Sequence, residues 1–265
     1  MTPVLYERSG RVVTLTLNRP EMRNALATDV VDALVDGVAQ ANADRSVSCV
    51  IIAGAGESFC SGGNLRELRD LTAGQRLAQP ELAAWYRNGI QRIPETFYGL
   101  DVVTIAAVQG HAIGAGCDLA AMCDLRVAAP DASFAESFVR VGLISGDGGA
   151  WFLPRVIGPA RAKEMMLTAQ PVDARKALDW GLVNLVADGG GLIEAAMRVA
   201  NEIAALPPNA LRATKQLLRK MDDSGFGQGL GEAALMQAAL HHQPDHHEAI
   251  AALLEKRRGN FTGAL

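Results

Sequence analysis

Two carboxylates and two glycine-rich turns carry the chemical content of this chain. Asp118 follows Gly110-His111-Ala112-Ile113-Gly114-Ala115-Gly116-Cys117, and Asp147 sits in Ser145-Gly146-Asp147-Gly148-Gly149. An earlier turn, Phe59-Cys60-Ser61-Gly62-Gly63-Asn64, follows the apolar run Val50-Ile51-Ile52-Ala53. Glycine lets a backbone approach a ligand closely. Two such turns can aim two peptide N–H groups at one oxygen, the arrangement that stabilises an oxyanion. A helix opening at Ala115 leaves its first N–H groups without intrahelical acceptors and points its positive dipole end at that oxygen. The expected donors are therefore the Ala115 and Ser61 N–H groups. Asp118, one turn along the same helix, and Asp147 are the expected acid–base groups. Each carboxylate also has a plain structural account. Asp118 would complement the helix dipole, and Asp147 would cap a helix running through Trp151 to Val156.

The elements that must position these groups follow from periodicity. Residues 12–17, rich in β-branched side chains, read as a strand ending at Asn18-Arg19-Pro20. Val31, Leu34, Val35 and Val38 repeat at helical spacing behind Thr28, the expected N-cap. Residues 49–53 read as a buried strand leading into the first turn, and 65–71 as a short helix leaving it. Leu82, Trp85, Tyr86, Ile90, Ile93 and Phe97 predict a helix after a mobile loop, with a core stripe and a pocket wall both open. Strands at 102–108 and 125–128 flank the helix at 115–122. Strands alternating with helices predict an α/β fold with mainly parallel pairing. Beyond residue 190 strand signals vanish, and Leu192, Ala196, Val199 and Ile203 share one helical face. Pro207-Pro208 breaks that helix, and further helices are expected at 230–240 and 246–257. The chain thus divides into a body, 1–190, and a helical region, 191–265.

At 265 residues the chain can bury a sizeable core, and its net charge of −4 gives no electrostatic reason for a nucleic-acid partner. No apolar run approaches the ~20 residues of a membrane helix, and no secretory signal opens the sequence, so a cytoplasmic location is expected. Cys49, Cys60, Cys117 and Cys123 lack metal-ligand spacing and read as free buried thiols, although Cys60 and Cys117 border the turns. His241, His242, His246 and His247 straddle Gln243-Pro244-Asp245 and read as a solvated turn in preference to a metal site. The basic stretches 215–220 and 256–258 read as solvated helix faces or ends. Dinucleotide, P-loop, H-E-x-x-H and G-x-S-x-G motifs are missing.

Several segments in order resemble the crotonase (enoyl-CoA hydratase/isomerase) family. They are Asn18-Arg19-Pro20 with Asn24-Ala25-Leu26, Phe59 to Leu65, and Gln109 to Asp124. Gly142 to Gly158, Leu167-Thr168 with Ala174 to Val186, and Glu255 to Phe261 continue the match to the end of the chain. The resemblance implies a Clp-protease/crotonase spiral of β-β-α units whose C-terminal helical region packs in trimers, often paired into hexamers. It implies an acyl-CoA substrate with its carbonyl oxygen between the Ser61 and Ala115 N–H groups. It places the CoA moiety near Arg23 to Ala25, along Ser61, Gly62, Gly63 and Asn64, and by Gly116. Neither a metal nor a cofactor beyond that CoA is implied.

The departures sharpen the expectation. Family hydratases use two glutamates, and the first position is Asp118 here. Counting back from Gly142 puts Phe138 at the second, and a phenyl ring transfers no proton. Glu136 lies two residues earlier and would substitute only if the backbone shifted. Asp147 offers the alternative carboxylate, as some family members place a working aspartate in this turn. An apolar pocket shaped by residues 72–100, with Trp85, Phe138 and Trp151, would raise the pKa of such a group. Isomerase-like or other enolate chemistry is therefore expected above efficient hydration. A C–C bond hydrolase or hydrolytic dehalogenase using Asp147 is one alternative, and a catalytically weak acyl-CoA-binding paralogue is another.

Overall fold

The computed structural model describes residues 2–71, 77–188 and 191–263. It opens with β1 (Val4–Ser9), β2 (Val12–Leu17), α1 (Thr28–Ala43) and β3 (Cys49–Gly54). Then come α2 (Leu65–Asp70), α3 (Gln79–Asn88), α4 (Arg92–Gly99), β4 (Val103–Val108), β5 (His111–Ile113) and α5 (Ala115–Met122). β6 (Leu125–Ala128), β7 (Ser133–Ala135), α6 (Gly149–Ile157), α7 (Pro159–Thr168), β8 (Val172–Asp173), α8 (Ala174–Asp179) and β9 (Leu185–Val186) complete the body. Helices α9 (Leu192–Ala204), α10 (Pro208–Asp223), α11 (Phe226–His241) and α12 (Pro244–Leu254) follow.

The larger sheet has the order β1-β2-β3-β4-β6-β9, antiparallel only between β1 and β2. Both faces of its central strands are covered, which is why β3 and β4 read as continuous apolar runs. Val13, Leu15, Val50 and Ile52 pack with Val31, Leu34 and Val38 of α1. The alternate residues Val12, Cys49, Ile51 and Ile105 pack with Ala195, Ala196 and Ala200 of α9. The boundary expected at residue 190 therefore leaves in the helical region an element that covers one face of the body sheet. Residues 189–190 themselves lie outside the described residues.

The smaller sheet has the order β5-β7-β8, and an isolated bridge from Cys60 to Ala112 extends it. Each repeat sends one strand to the larger sheet, the next to the smaller, and then a helix. β4-β5-α5 is one such turn; β6-β7 followed by α6 is the next. This is the expected spiral of β-β-α units, and it brings both glycine turns to the junction between the sheets.

Several local expectations shift. Ala27, with no capping side chain, precedes α1 where Thr28 was expected to cap it. β1 escapes a periodicity reading because only Val4 in it is buried. The single helix expected before β4 is two, broken at Gly89. The mobile loop expected ahead of it covers residues 72–76, outside the described residues. The last two helices begin earlier than expected, and Arg257 lies beyond α12, where it pairs with Glu248 and Glu255. Among the described residues no helix is long and apolar enough to cross a membrane.

Candidate active site

A cavity of ≈ 840 Å³ opens where α2 and α3 face the start of α5. Its wall is largely apolar, with Leu26, Val31, Trp85, Tyr86, Phe138 and Leu143 prominent. Gly62, Gly63, Asn64, Ala115 and Asp147 also line it. Asn64 caps α2 by accepting from the Arg66 N–H at 3.1 Å, so its side-chain oxygen is already engaged.

The two turns meet at this wall. Gly62 has φ +90°, and a Cβ there would stand 2.5 Å from Ile113 O and 3.3 Å from Ala115 N. Only glycine permits that approach. The Ser61 N–H donates to Arg23 O at 2.9 Å, which overturns the expectation that it would hold the oxyanion. The Gly63 and Ala115 N–H groups, by contrast, find no acceptor among the described residues. Ala115 opens α5, whose first N–H groups have no intrahelical partner. The unspent pair is Gly63 and Ala115. Ser61 sits two residues too early, at the position where the chain ties itself to the Arg23 turn.

The carboxylates separate in the same way. Asp147 lines the cavity at 6% exposure, and burial together with the negative Asp118 pushes its pKa up to about 7. Its turn is anchored by Gln91 Nε2, which donates to Gly146 O at 2.9 Å. Asp147 does not cap α6, because Gly148 occupies that position.

Asp118 is fully buried and lies off the cavity wall, contrary to its expected place beside the substrate. Its Oδ2 accepts from Ser145 Oγ at 3.0 Å. A Cβ on Gly149 would fall 1.7 Å from Asp118 Oδ1, so the start of α6 is seated directly on this carboxyl. Burial, then the neighbouring Glu136, raise the Asp118 pKa well above the usual carboxylate range. Glu136 is buried beside Asp118 and Cys117, and its own pKa is raised chiefly by burial. It does not stand in for the carboxylate missing at Phe138, whose ring forms part of the wall.

Other expectations are corrected by packing. Trp151 is 42% exposed, carries the Arg155 guanidinium 3.3 Å over its ring, and is not on the cavity wall. In α6 the buried stripe is Gly149, Leu153 and Ile157, which turns Trp151 outward. Gly116 is also off the wall: a Cβ there would stand 2.3 Å from Cys60 O, so its role is close packing of α5. Ala25 is buried away from the cavity, and Arg23 lines a separate polar pocket with Glu57, His111 and Asp131. Trp85 does line the cavity, edge-on to Tyr86 at 5.0 Å.

The four cysteines are free and buried, and burial pushes the Cys60 thiol up to about 12, far from a thiolate nucleophile. His241, at the end of α11, and His246 of α12 meet edge-on with ring centroids 4.6 Å apart. Among the described residues no group of three or more His, Cys, Asp or Glu is arranged to hold a metal ion. Sequence reasoning had Gly63 beside the CoA moiety and not as an N–H donor, and it missed Ser145 and Gly149. Gly63 was signalled only by its place in the turn, the others only by their proximity to Asp118 in space.

An enoyl-CoA hydratase/isomerase family profile matches residues 7–264. The chain is 35% identical over 265 residues to the 2,3-dehydroadipyl-CoA hydratase of Escherichia coli strain K12, covering 99% of this chain and 100% of that one. It is 32% identical to the 1,2-epoxyphenylacetyl-CoA isomerase of the same organism, covering 95% of each. It superposes on a putative enoyl-CoA hydratase from Streptomyces coelicolor A3(2) with TM-score 0.92 and 34% identity, covering 99% of this chain and 94% of that one. Sequence and fold agree over the whole length, and the chain belongs to the crotonase, or enoyl-CoA hydratase/isomerase, family.

Proposed function

We propose that the protein isomerises an unsaturated acyl-CoA thioester through an enolate, with Asp147 as the proton shuttle. The observation that carries this reading is the split between carboxylates. Asp147 is on the cavity wall, Asp118 and Glu136 are behind it, and Phe138 fills the position of a second acid–base group. Glu67 also reaches the wall, but Asn64 Nδ2 holds its Oε1 at 3.1 Å at the start of α2.

In the proposed reaction the thioester oxygen of a 3-enoyl-CoA accepts from the Gly63 and Ala115 N–H groups. Ionised Asp147 takes a proton from C2, and the electron pair moves into a dienolate stabilised at that oxygen. The protonated Asp147 returns the proton to C4, giving the 2-enoyl-CoA. One carboxyl is enough, because atoms are moved and none are added. Hydration needs a second group to handle water or complete protonation, and the phenyl ring of Phe138 cannot serve.

Exposed apolar side chains on the last three helices (Leu218, Phe226, Leu235, Leu253 and Leu254) support packing between copies of the chain in a trimer or hexamer. Light scattering reads that state directly.

The deciding experiment supplies 3-enoyl-CoA and crotonyl-CoA to the purified protein in deuterated water. Isomerisation faster than hydration, abolished by Asp147→Asn and retained by Glu67→Gln, is expected. Fast hydration of crotonyl-CoA that survives Asp147→Asn overturns the reading.

A further inference from the structure

Behind the cavity wall, Asp118 and Glu136 meet in the core with 0% and 1% exposure. Asp118 Oδ1 and both Glu136 carboxyl oxygens receive no hydrogen bond from a donor among the described residues. Ala135 pairs with Ile113 and accepts from the Gly114 N–H at 2.8 Å, which sets the next residue, Glu136, beside the first turn of α5, where its carboxyl, that of Asp118 and the Cys117 thiol act on one another. Ionised carboxylates only accept, so two of them in contact leave these oxygens with no donor between them. Like charges sharing one dry site do not both ionise. Two neutral acids would instead leave the Ser145 hydroxyl donating to an uncharged group, although that bond favours the ionised form of Asp118.

We infer that Asp118 and Glu136 hold a single proton between them as a buried pair with one negative charge, and that Glu136 is thereby a positioning residue for Asp147. The proton converts a repulsive contact into an O–H···O⁻ hydrogen bond, the short and strong kind. The Ser145 hydroxyl donates to Asp118 and the Cys117 thiol lies beside Glu136, so each carboxyl has a neighbour that favours its share of the single charge. The pair then acts as a fixed negative charge behind the wall that favours the protonated form of Asp147.

Glu67 of α2 and Arg87 of α3 line the same cavity as Asp147, while the groups that act on it electrostatically or are acted on by it are Asp118 from α5, Glu136 from the segment after β7, and Tyr86 from α3. Tyr86 is neutral near pH 7, its ionisation made harder by burial and by Asp147, so the pair supplies the charge. The meaning for catalysis rests on the proton-shuttle reading above; the charge state of the pair does not.

The test uses the full chain and no substrate. Carbon-13 NMR of protein labelled at the aspartate carboxyl carbons, with Asp147 assigned by its loss in Asp147→Asn, follows the Asp147 titration. Asp118→Asn and Glu136→Gln each place an amide opposite the remaining carboxylate and keep one negative charge. Each is expected to leave the Asp147 midpoint where it is in the native protein. The double variant is neutral at both positions and is expected to lower that midpoint by about one pH unit. A fall in each single variant means both carboxyls were ionised, and no fall in the double variant means both were neutral; either result overturns the proposal.

Infrared spectra of the unmodified protein give a second reading that needs no variant to fold. One protonated-carboxyl band persisting at about pH 8 is expected; none, or two, overturns the proposal. Absence of isomerase turnover would sink the function proposed above and leave both readouts intact.

Discussion

Asp147 and Asp118 have both lost their water, yet they stand on opposite sides of the cavity wall. Asp147 ends a loop and faces the cavity beside Tyr86 and Gly146. Asp118 is one helical turn beyond Ala115, enclosed by Ser145, Glu136 and the backbone of Gly149. The difference teaches that burial alone does not make an acid–base catalyst. A carboxyl must also have an open side where a reacting carbon can sit. Asp118 has neither that side nor a free oxygen pair, so its contribution is charge and the seating of α6.

The largest effect that would break this comparison is on turnover. Asp147→Asn is expected to lower kcat for 3-enoyl-CoA isomerisation about a thousandfold, the scale of a lost general base. Asp118→Asn is expected to lower it about tenfold or less, with the loss carried by altered packing around the wall. Steady-state kinetics of both variants checks the order. If Asp118→Asn is the more damaging, the wall does not separate the two roles.

The same contrast predicts a stability difference that depends on pH. The folded pKa of Asp147 is raised to about 7, mainly by burial and then by Asp118, so ionising it costs more in the folded chain than in the unfolded one. The unfolded state therefore gives up this proton first, and the native protein loses stability as pH rises through that value. Asp147→Asn should be more stable than the native protein above about pH 7, by up to about 4 kcal/mol. Below about pH 4, where Asp147 is protonated in both states, the two should match. Urea denaturation at the two pH values reads the difference. Activity should move oppositely, with kcat/KM falling as pH drops below about 7 because the base becomes protonated.

The oxyanion donors sharpen the comparison from the other side of the cavity. Proline is accepted at the first position of a helix, where its missing N–H is unspent in any case. Ala115→Pro should therefore keep α5 while removing one donor, and lower kcat about a hundredfold. Ala115→Ser retains the N–H and serves as the control. Equal activity of the two variants, with unchanged circular dichroism, would remove Ala115 from the site.

How much of this was legible in the sequence follows from which interactions are local. The β2, β3, β4 and α5 segments announce themselves through apolar runs and period, because packing on both sides of the larger sheet imposes those patterns. The place of Asp147 on the cavity wall was legible because its turn and its carboxylate occupy the same five residues. Of the two expected oxyanion donors, Ala115 keeps its N–H unspent and Ser61 does not. Ala115 follows from helix geometry, but the choice between Ser61 and Gly63 depends on Arg23 O, nearly forty residues earlier in the chain. Trp151 was misplaced because the sequence does not show which stripe of α6 meets the core. The Asp118–Glu136 contact was out of reach, since it joins a helix and a segment following a different strand.

The smallest expected effect tests the buried side alone. Ser145 Oγ donates to Asp118 Oδ2 at 3.0 Å, and among the described residues Asp118 Oδ1 has no donor other than the shared proton inferred above. Ser145→Ala strips a buried, charged acceptor of a hydrogen bond without opening a large void. Such a loss costs about 2 kcal/mol, because the acceptor stays desolvated when its partner is gone. Since Ser145 touches Asp118 and not the substrate, kcat should stay within about threefold of native while the denaturation midpoint falls. Ser61→Ala is the matched control. Its hydroxyl donates to Met22 O at 3.3 Å in a partly buried position, so little stability should be lost. A large fall in kcat for Ser145→Ala with unchanged stability would place Asp118 in contact with the reacting atoms and erase the distinction between the two aspartates.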